Sequence, residues 1–442
     1  MMENKTLALE SKKCIALDLG RAYVEYSDID ALCLKTFPDE ALHAVQAFKN
    51  VINGDVYDPG IENKGFSNHI GWLEPVKETL APDADTIAFT EKIAAEIRAK
   101  SDVLLFAGSG PACLAVKAGL DFFAPDDSPE IIFLGDLNAG YHKRLREKLK
   151  GRKFSICAVE DKDMPHRMLV ALNDLKGAEG FYTKIKGLDE VSLGDVKGPE
   201  SFYVFSNNSE SAFCGLARKS GAEILIYKQG FTGPSLILSP GVLLPLAAAG
   251  IDIKGIIEGA TLEEMLDMES YVPAGCAGGG ASREMMMPLS SINIKNYSTA
   301  RRLLRDRGYF TELLVYADPS LAGFTNWLKY ISMDFAGDKL IHTDAINLAN
   351  NADVLESYAQ NNKGLFETFI HIGKLSWRNI EELKTAADLD SIGNWLAIES
   401  MQRQRKTGVP IIRIEIPEIS PYFYGQMISL FSRNAAIMDI WK

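Results

Sequence analysis

Short apolar stretches recur along this chain, and each is followed by a turn and then by a segment with helical spacing. The first series includes "DVLLFAGSGPACLAVKAGLDFF", "EIIFLGDLNAGYHKRLREKLKG" and "SFYVFSNNSESAFCGLARKSG". The second contains "YFTELLVYADPSLAGFTNWLKYIS", "KGLFETFIHIGK" and "VPIIRIEIPEISPYFYGQMISLFSRNAAIMDIW". Buried strands that alternate with helices are typical of parallel sheets covered on both faces. The sequence therefore predicts an α/β fold with two doubly wound, mainly parallel sheets flanked by helices.

A glycine-rich segment, "ESYVPAGCAGGGASREMMMPLSS", separates the two series. We interpret it as a connection between domains. A loop that approaches a ligand is the alternative, because glycine lets the backbone come close to other groups. The predicted division is a mixed N-terminal appendage over residues 1–95, a first domain over 96–262, the connection over 263–300 and a second domain over 301–442.

The composition limits the partners that we expect. The chain has 442 residues and a formal net charge of −12, which disfavours nucleic acid as a partner. Its apolar run "GVLLPLAAAGI" is shorter than the roughly 20 residues that span a bilayer, and "MMENKTLALESKKC" carries charges where a signal peptide would be apolar. Six cysteines are scattered without a paired metal-binding spacing. We expect a cytoplasmic protein with no membrane contact, no metal and no cofactor.

Several candidate binding residues lie in turns that follow predicted strands. Ligands of open parallel sheets bind beyond the carboxyl ends of the strands, where turns and helix N-termini present free N–H groups. The glycines of "GSG" can serve anion binding or only the geometry of the turn. The hydroxyls of "SNNSES" can bind ligand oxygens or cap the following helix. The candidate substrate-binding residues are Gly108, Ser109, Gly110, Lys162, Ser206 and Ser209.

The chain resembles the phosphoglucose isomerase family in segments that follow one another in order over most of its length. These are "HIGWLEPV", "AGSGPACLAVKAG", "PEIIFLGDL", "KFSICAVEDKD", "SPGVLLPLAAAGIDIKGIIEGA", "LLVYADPSLAGFTNWLKYI", "GLFETFIHI" and the terminal "IEIPEISPYFYGQMISLFSRNAAIMDIW". The resemblance implies two sugar-isomerase domains over 96–262 and 301–442. It also implies an aldose–ketose isomerase that moves hydrogen between C1 and C2 of a hexose phosphate through an enediol.

The same resemblance assigns catalytic roles by position. The family's carboxylate base matches Asp334 in "NWLKYISMDFAG", and its ring-opening histidine matches Asp353. His342 lies nearby in the sequence and could replace that histidine, although a histidine beside a strand is more often structural. The resemblance further implies a homodimer, because family members complete each site with residues of the neighbouring subunit. The apolar C-terminal helix "GQMISLFSRNAAIMDIW" also predicts a partner that covers it.

The chain departs from the family at several positions. Its phosphate-loop turn reads "EDKDMP", with three carboxylates around Lys162. Pro234 takes the place of the arginine that faces the enediolate, and Ala112 takes the place of a serine. The family's catalytic lysine lies on a helix beyond the end of this sequence.

These departures leave three hypotheses. The first is a divergent aldose–ketose isomerase that acts on a hexose phosphate or a related anionic sugar. The second is a sugar-isomerase fold without catalysis, which serves as a sugar-binding or regulatory module. The third is an acid–base enzyme of another class that uses Asp334 and Asp353 with a metal. Acidic turns such as "EDKD" are usually solvated surface features, which disfavours the third.

Overall fold

The chain divides into two compact units. The computed structural model describes residues 16–21, 84–125, 129–134, 139–161, 199–219, 221–227, 233–260, 286–288, 291–334, 341–361, 364–373 and 389–440. We call Gly54–Thr261 with Ser320–Asp334 the parallel unit, and Met1–Asn53, Leu262–Pro319 and Phe335–Lys442 the mixed unit. Each unit is built around one sheet.

The parallel unit has a five-stranded sheet in the order β3-β2-β4-β5-β6, and all its neighbouring strands are parallel. Its central strands β2 and β4 are buried along their whole length, which explains why they read as nearly continuous apolar runs. The strands are β2 (Val103–Ala107), β3 (Glu130–Phe133), β4 (Phe154–Val159), β5 (Ser201–Ser206) and β6 (Glu223–Ile226).

Seven described helices belong to the parallel unit. Two of them have a capping serine and a proline at the first or second helical position, a combination that leaves fewer free N–H groups at a helix start. The helices are α1 (Ala84–Lys100), α2 (Gly110–Phe123), α3 (Ala139–Leu149), α4 (Ala212–Lys219), α5 (Pro240–Ala248), α6 (Ile253–Ala260) and α8 (Ala322–Asp334). A 3-10 helix, Gly233–Leu238, precedes α5.

Helix α8 comes from the second half of the sequence, yet it packs on α2 and on the 3-10 helix of the parallel unit. Phe324, Trp327, Leu328 and Ile331 are buried, and their spacing places them on one face of the helix. The predicted second domain, 301–442, includes this segment, whereas the compact units separate it from the residues on either side.

The mixed unit has a six-stranded sheet in the order β7-β1-β11-β10-β8-β9. Strands β11, β10, β8 and β9 are parallel to one another, whereas β1 is antiparallel to both β11 and β7. Part of the predicted N-terminal appendage therefore supplies a strand to this sheet. The strands are β1 (Ala16–Arg21), β7 (Met286–Pro288), β8 (Thr311–Tyr316), β9 (His342–Asn347), β10 (Leu365–Ile372) and β11 (Ile411–Ile416).

Four described helices accompany this sheet: α7 (Ser291–Asp306), α9 (Leu348–Asn361, with a kink at Asn351), α10 (Leu389–Thr407) and α11 (Pro421–Ile440). The side chains of residues 423–435 in α11 are buried by the chain itself. This finding removes the argument that the C-terminal helix needs a partner subunit for cover. A short 3-10 helix, Pro319–Leu321, precedes α8.

A network of buried polar groups ties α7, α11 and two strands together in the mixed unit. The Arg301 guanidinium donates to Glu312 Oε2 at 2.7 Å and to Asn434 Oδ1 at 2.6 Å. The hydroxyls of Tyr297 and Thr368 donate to Glu312 Oε1 at 2.8 and 2.5 Å. Glu312 is thus a buried carboxylate whose two oxygens are both bonded, as burial of a charge requires.

The predicted fold class is confirmed, since both sheets are mainly parallel and helices flank them. No helix in the described ranges is long and apolar enough to cross a membrane.

Candidate functional site

The turns at the carboxyl ends of β2, β4 and β5 form the candidate site of the parallel unit. These three strands are neighbours in the sheet, so their turns meet at one edge. The side chain of Ser109 caps α2 by accepting the Ala112 N–H at 3.3 Å. Gly108 precedes it in a tight space, because a Cβ there would lie 3.1 Å from side-chain atoms of both Ala112 and Phe106. Gly110 is exposed and is the first residue of α2.

Glu160 follows β4 and receives hydroxyl groups from the turn after β5. Ser206 Oγ donates to Glu160 Oε2 at 2.6 Å, and Ser211 Oγ donates to the same oxygen at 2.8 Å. The Cys214 thiol lies 3.7 Å from this oxygen. Ser211 also caps α4, since its Oγ accepts the Cys214 N–H at 3.0 Å. The carboxylate of Glu160 therefore lies over the N-terminus of a helix.

Asp161 joins two other turns of the same edge. Ser109 Oγ donates to Asp161 Oδ2 at 2.8 Å. The backbone N–H of Gly233, which begins the 3-10 helix, donates to the same oxygen at 3.2 Å. Pro234 follows directly, in the place where the family resemblance expects an arginine. The described part of this edge is thus organised around carboxylates.

Tyr227 lies directly after β6 and contacts the turn that follows β4. Its hydroxyl donates to the backbone carbonyl of Glu160 at 3.0 Å. Burial raises the pKa of Tyr227 well above its usual value, and the negative charges of Asp161 and Glu160 add to the effect. The phenol is therefore a neutral hydrogen-bond donor at physiological pH.

The predicted binding residues occupy different environments. Gly108 and Ser109 are buried, and Ser206 is fully buried with its hydroxyl directed to Glu160. Ser209 is half-buried and donates to its neighbour Glu210 at 3.2 Å. Lys162 lies outside the described residues. Their roles in binding a substrate stay predictions.

The predicted catalytic residues lie on separate elements. Asp334 is the last residue of α8 in the parallel unit. In the mixed unit, His342 is exposed and begins β9, so it lies at the amino end of a parallel strand rather than at the carboxyl end where ligands usually bind. Asp353 is exposed on α9, the helix that follows β9. Their catalytic roles also stay predictions.

Two features of the described residues escaped the sequence reasoning. The first is Ser211, which shares the Glu160 oxygen with Ser206. The second is Glu367, a carboxyl in the interior of β10 whose pKa burial raises to about 8. A glutamate inside the apolar run "LFETFIHI" was the visible sign of the second. The hydrogen bonds of Glu160 depend on the order of the strands in the sheet, so no short sequence pattern indicates them.

The chain is similar in sequence to known enzymes over most of its length. No protein-family model matches it. Glucose-6-phosphate isomerase of Staphylococcus epidermidis is 26% identical over 395 residues, which cover 84% of this chain and 81% of that protein. The enzyme of the same name from Clostridium tetani is 25% identical over 429 residues, which cover 90% and 87% of the two chains.

Two solved structures share the fold. A hypothetical protein of Thermus thermophilus has a TM-score of 0.68 at 16% identity and covers 97% of this chain and 94% of its own. A glucose-6-phosphate isomerase of Chlamydia trachomatis has a TM-score of 0.64 at 13% identity, with 98% and 84% covered. At these identities the likeness shows the fold alone.

The two mainly parallel sheets define an α/β protein, and these two structural neighbours share its fold. In sequence, the chain is a divergent relative of the glucose-6-phosphate isomerases over most of its length. The predicted resemblance to the phosphoglucose isomerase family is thereby confirmed.

Proposed function

We propose that this chain is a divergent aldose–ketose isomerase that acts on a hexose phosphate or a related anionic sugar. One observation carries the proposal: relatives named glucose-6-phosphate isomerase match in order over 84% and 90% of the chain. The comparisons do not favour a sugar-binding module without catalysis, because these relatives match across both units and carry an enzyme's name. The role belongs to carbohydrate metabolism, in glycolysis and gluconeogenesis.

The proposed chemistry is a proton transfer within one sugar. A base removes the proton from C2 of the open-chain aldose while O1 takes up a proton, which gives the enediol. The base then returns its proton to C1 while O2 loses its proton, which gives the ketose. We assign the base to Asp334 and acid assistance at ring opening to Asp353 or His342. The proposed substrate contacts are Gly108, Ser109, Gly110, Lys162, Ser206 and Ser209.

We expect a slow enzyme. Pro234 offers no charge to an enediolate, and loss of a single preorganised electrostatic group costs about 10²- to 10³-fold in rate. At position 353 the chain has an aspartate where the family resemblance expects a histidine, so the family's ring-opening imidazole is missing there. The glucose-6-phosphate isomerase activity should therefore be at least about a thousandfold below that of an intact relative.

The test is a coupled assay of purified protein, made in a host whose own isomerase gene is deleted. A small, protein-dependent turnover that Asp334→Asn abolishes supports the proposal. Asp85→Asn is the matched control, because Asp85 is an exposed carboxylate in the first turn of α1. The absence of turnover with hexose phosphates and other anionic sugars would overturn the proposal. Equal turnover in wild type and Asp334→Asn would overturn the assignment of the base.

A further inference from the structure

Two carboxylates of the parallel unit occupy positions where the fold offers hydrogen-bond donors to a ligand. The hydroxyls of Ser206 and Ser211 converge on one oxygen of Glu160, at 2.6 and 2.8 Å. Ser211 also caps α4, so this oxygen lies over the start of a helix. Helix starts with converging hydroxyl and N–H donors at the carboxyl edge of a parallel sheet are general sites for anion oxygens.

The second carboxylate repeats this arrangement at a neighbouring turn. Asp161 Oδ2 accepts from Ser109 Oγ at 2.8 Å and from the Gly233 N–H at 3.2 Å. Ser109 is itself the residue that caps α2. Glu160 and Asp161 are successive residues, and each places one carboxylate oxygen at the start of a different helix, α4 and α2.

We propose that Glu160 and Asp161 are specificity-determining residues. Their carboxylates occupy the positions where this edge could bind an anion, and they exclude a phosphate dianion from those positions. The inference rests on the proposed function and deepens it. The edge receives a neutral, hydroxyl-bearing part of the sugar, and the anionic group of the substrate is not bound there.

The chemistry of the groups gives the reason. A carboxylate only accepts hydrogen bonds, and a phosphate dianion only accepts them as well. A phosphate at this edge would have to take the serine hydroxyls from Glu160 and Asp161 and lie beside their two charges. Such a displacement would leave the two partly buried carboxylates without their serine donors, which costs free energy. A sugar hydroxyl, in contrast, can donate to a carboxylate without displacing any serine.

The test is calorimetric titration of the full chain with inorganic phosphate, with glucose and with glucose 6-phosphate. The double variant Glu160→Gln with Asp161→Asn keeps the size of both side chains and removes both charges. Phosphate and glucose 6-phosphate should bind this variant at least about tenfold more tightly than they bind wild type, a change on the scale of one charged hydrogen bond. The control, Glu210→Gln, removes an exposed charge from the neighbouring turn after β5 and should leave binding within about twofold.

Equal phosphate binding by wild type and the double variant would overturn the inference, and so would an equal gain in the Glu210→Gln control. If the double variant fails to fold, wild type decides the matter. The inference would be overturned if wild type bound glucose 6-phosphate at least about tenfold more tightly than glucose, and if a structure of the complex showed phosphate oxygens bonded to Ser206 or Ser109. Glucose bound at this edge with the serine–carboxylate bonds intact would support it. The titration needs no turnover, so its outcome is independent of whether isomerase activity is found.

Discussion

Gly323 of α8 donates its backbone N–H to the Asp121 carboxylate of α2, and the two helices approach so closely there that no side chain fits between them. A Cβ atom on Gly323 would lie 2.6 Å from Asp121 Oδ2 and 2.9 Å from the backbone of Ala118 and Lys117. Burial raises the pKa of Asp121, which the nearby Lys117 and the Gly323 N–H partly offset. Glycine at this position therefore sets the distance between α8 and α2.

Gly323→Ala should destabilise the protein by about 1–3 kcal/mol, because two of the three atoms that the new methyl meets are backbone. Urea unfolding followed by circular dichroism measures the change. Gly215→Ala is the matched control: it lies in α4 with no atom within 4 Å of its Cβ position. That substitution should stabilise or be neutral, since alanine is the better helix former. A Gly323→Ala variant as stable as wild type would show that α8 can move away without cost.

Arg301→Met should cost about 3–5 kcal/mol of unfolding free energy, because it leaves the buried charge of Glu312 without its cation. The exposed pair Arg403–Glu399, at 2.9 Å on α10, gives the control. Arg403→Met should cost less than about 1 kcal/mol. A double-mutant cycle with Glu312→Gln isolates the coupling between the partners. Similar losses for the buried and the exposed pair would contradict this account.

Stability should fall as the pH rises through the titration of Glu367. Burial raises the pKa of this carboxyl from 4.5 to about 8 in the folded state. Between these values the folded state binds more protons than the unfolded state, so the unfolding free energy decreases with pH and levels off above about pH 8. Glu367→Gln removes this dependence and should stabilise the protein at pH 8 relative to wild type. Thermal unfolding between pH 5 and 9 measures this pH dependence of stability. The prediction would be contradicted if stability changed with pH in the same way for wild type and for the variant.

The control for this pH series is Glu147→Gln. Glu147 is exposed on α3, so removal of its charge should leave the shape of the pH profile unchanged. A comparable change in both variants would show that net charge, and not the burial of Glu367, governs the pH dependence.

We predict a homodimer in solution, as the family resemblance implies. Static light scattering at micromolar concentration should give about twice the chain mass of 48.6 kDa. The interface should not consist of residues 423–435 of α11, because the chain itself already buries these side chains. A mass near 48.6 kDa at all concentrations would contradict the prediction.

The fold could be predicted because its signal is local. Strands such as β2 and β4 are buried along their whole length, so they appear as mainly apolar runs of the right length, and helix α2 follows β2 after two residues. The order of strands is not local. β1 joins the mixed sheet next to β11, from the opposite end of the chain, and nothing in "ALDLGR" specifies that neighbour.

The candidate site could be predicted only in part, for the same reason. The turns that hold Ser109 and Ser206 were visible from the glycines and serines that follow the strands. Their hydrogen bonds to Asp161 and Glu160 were not, because they exist only since β4 lies between β2 and β5 in the sheet. The acidic turn after β4 looked like a solvated surface feature, yet the described part of it, Glu160 and Asp161, is bonded to buried serine hydroxyls.

The position of α8 has a consequence for how the chain is made. A ribosome releases all the described strands of the parallel unit before it has translated Ala322–Asp334, and it must first synthesise Leu262–Pro319 of the other unit. Until then, the surface of α2 that α8 covers is open, and the nascent unit lacks the apolar face of Phe324, Trp327 and Ile331. A gene fragment that stops at Thr261 therefore encodes an unfinished domain. To separate the two units by engineering, one would have to splice the α8 segment back onto that fragment.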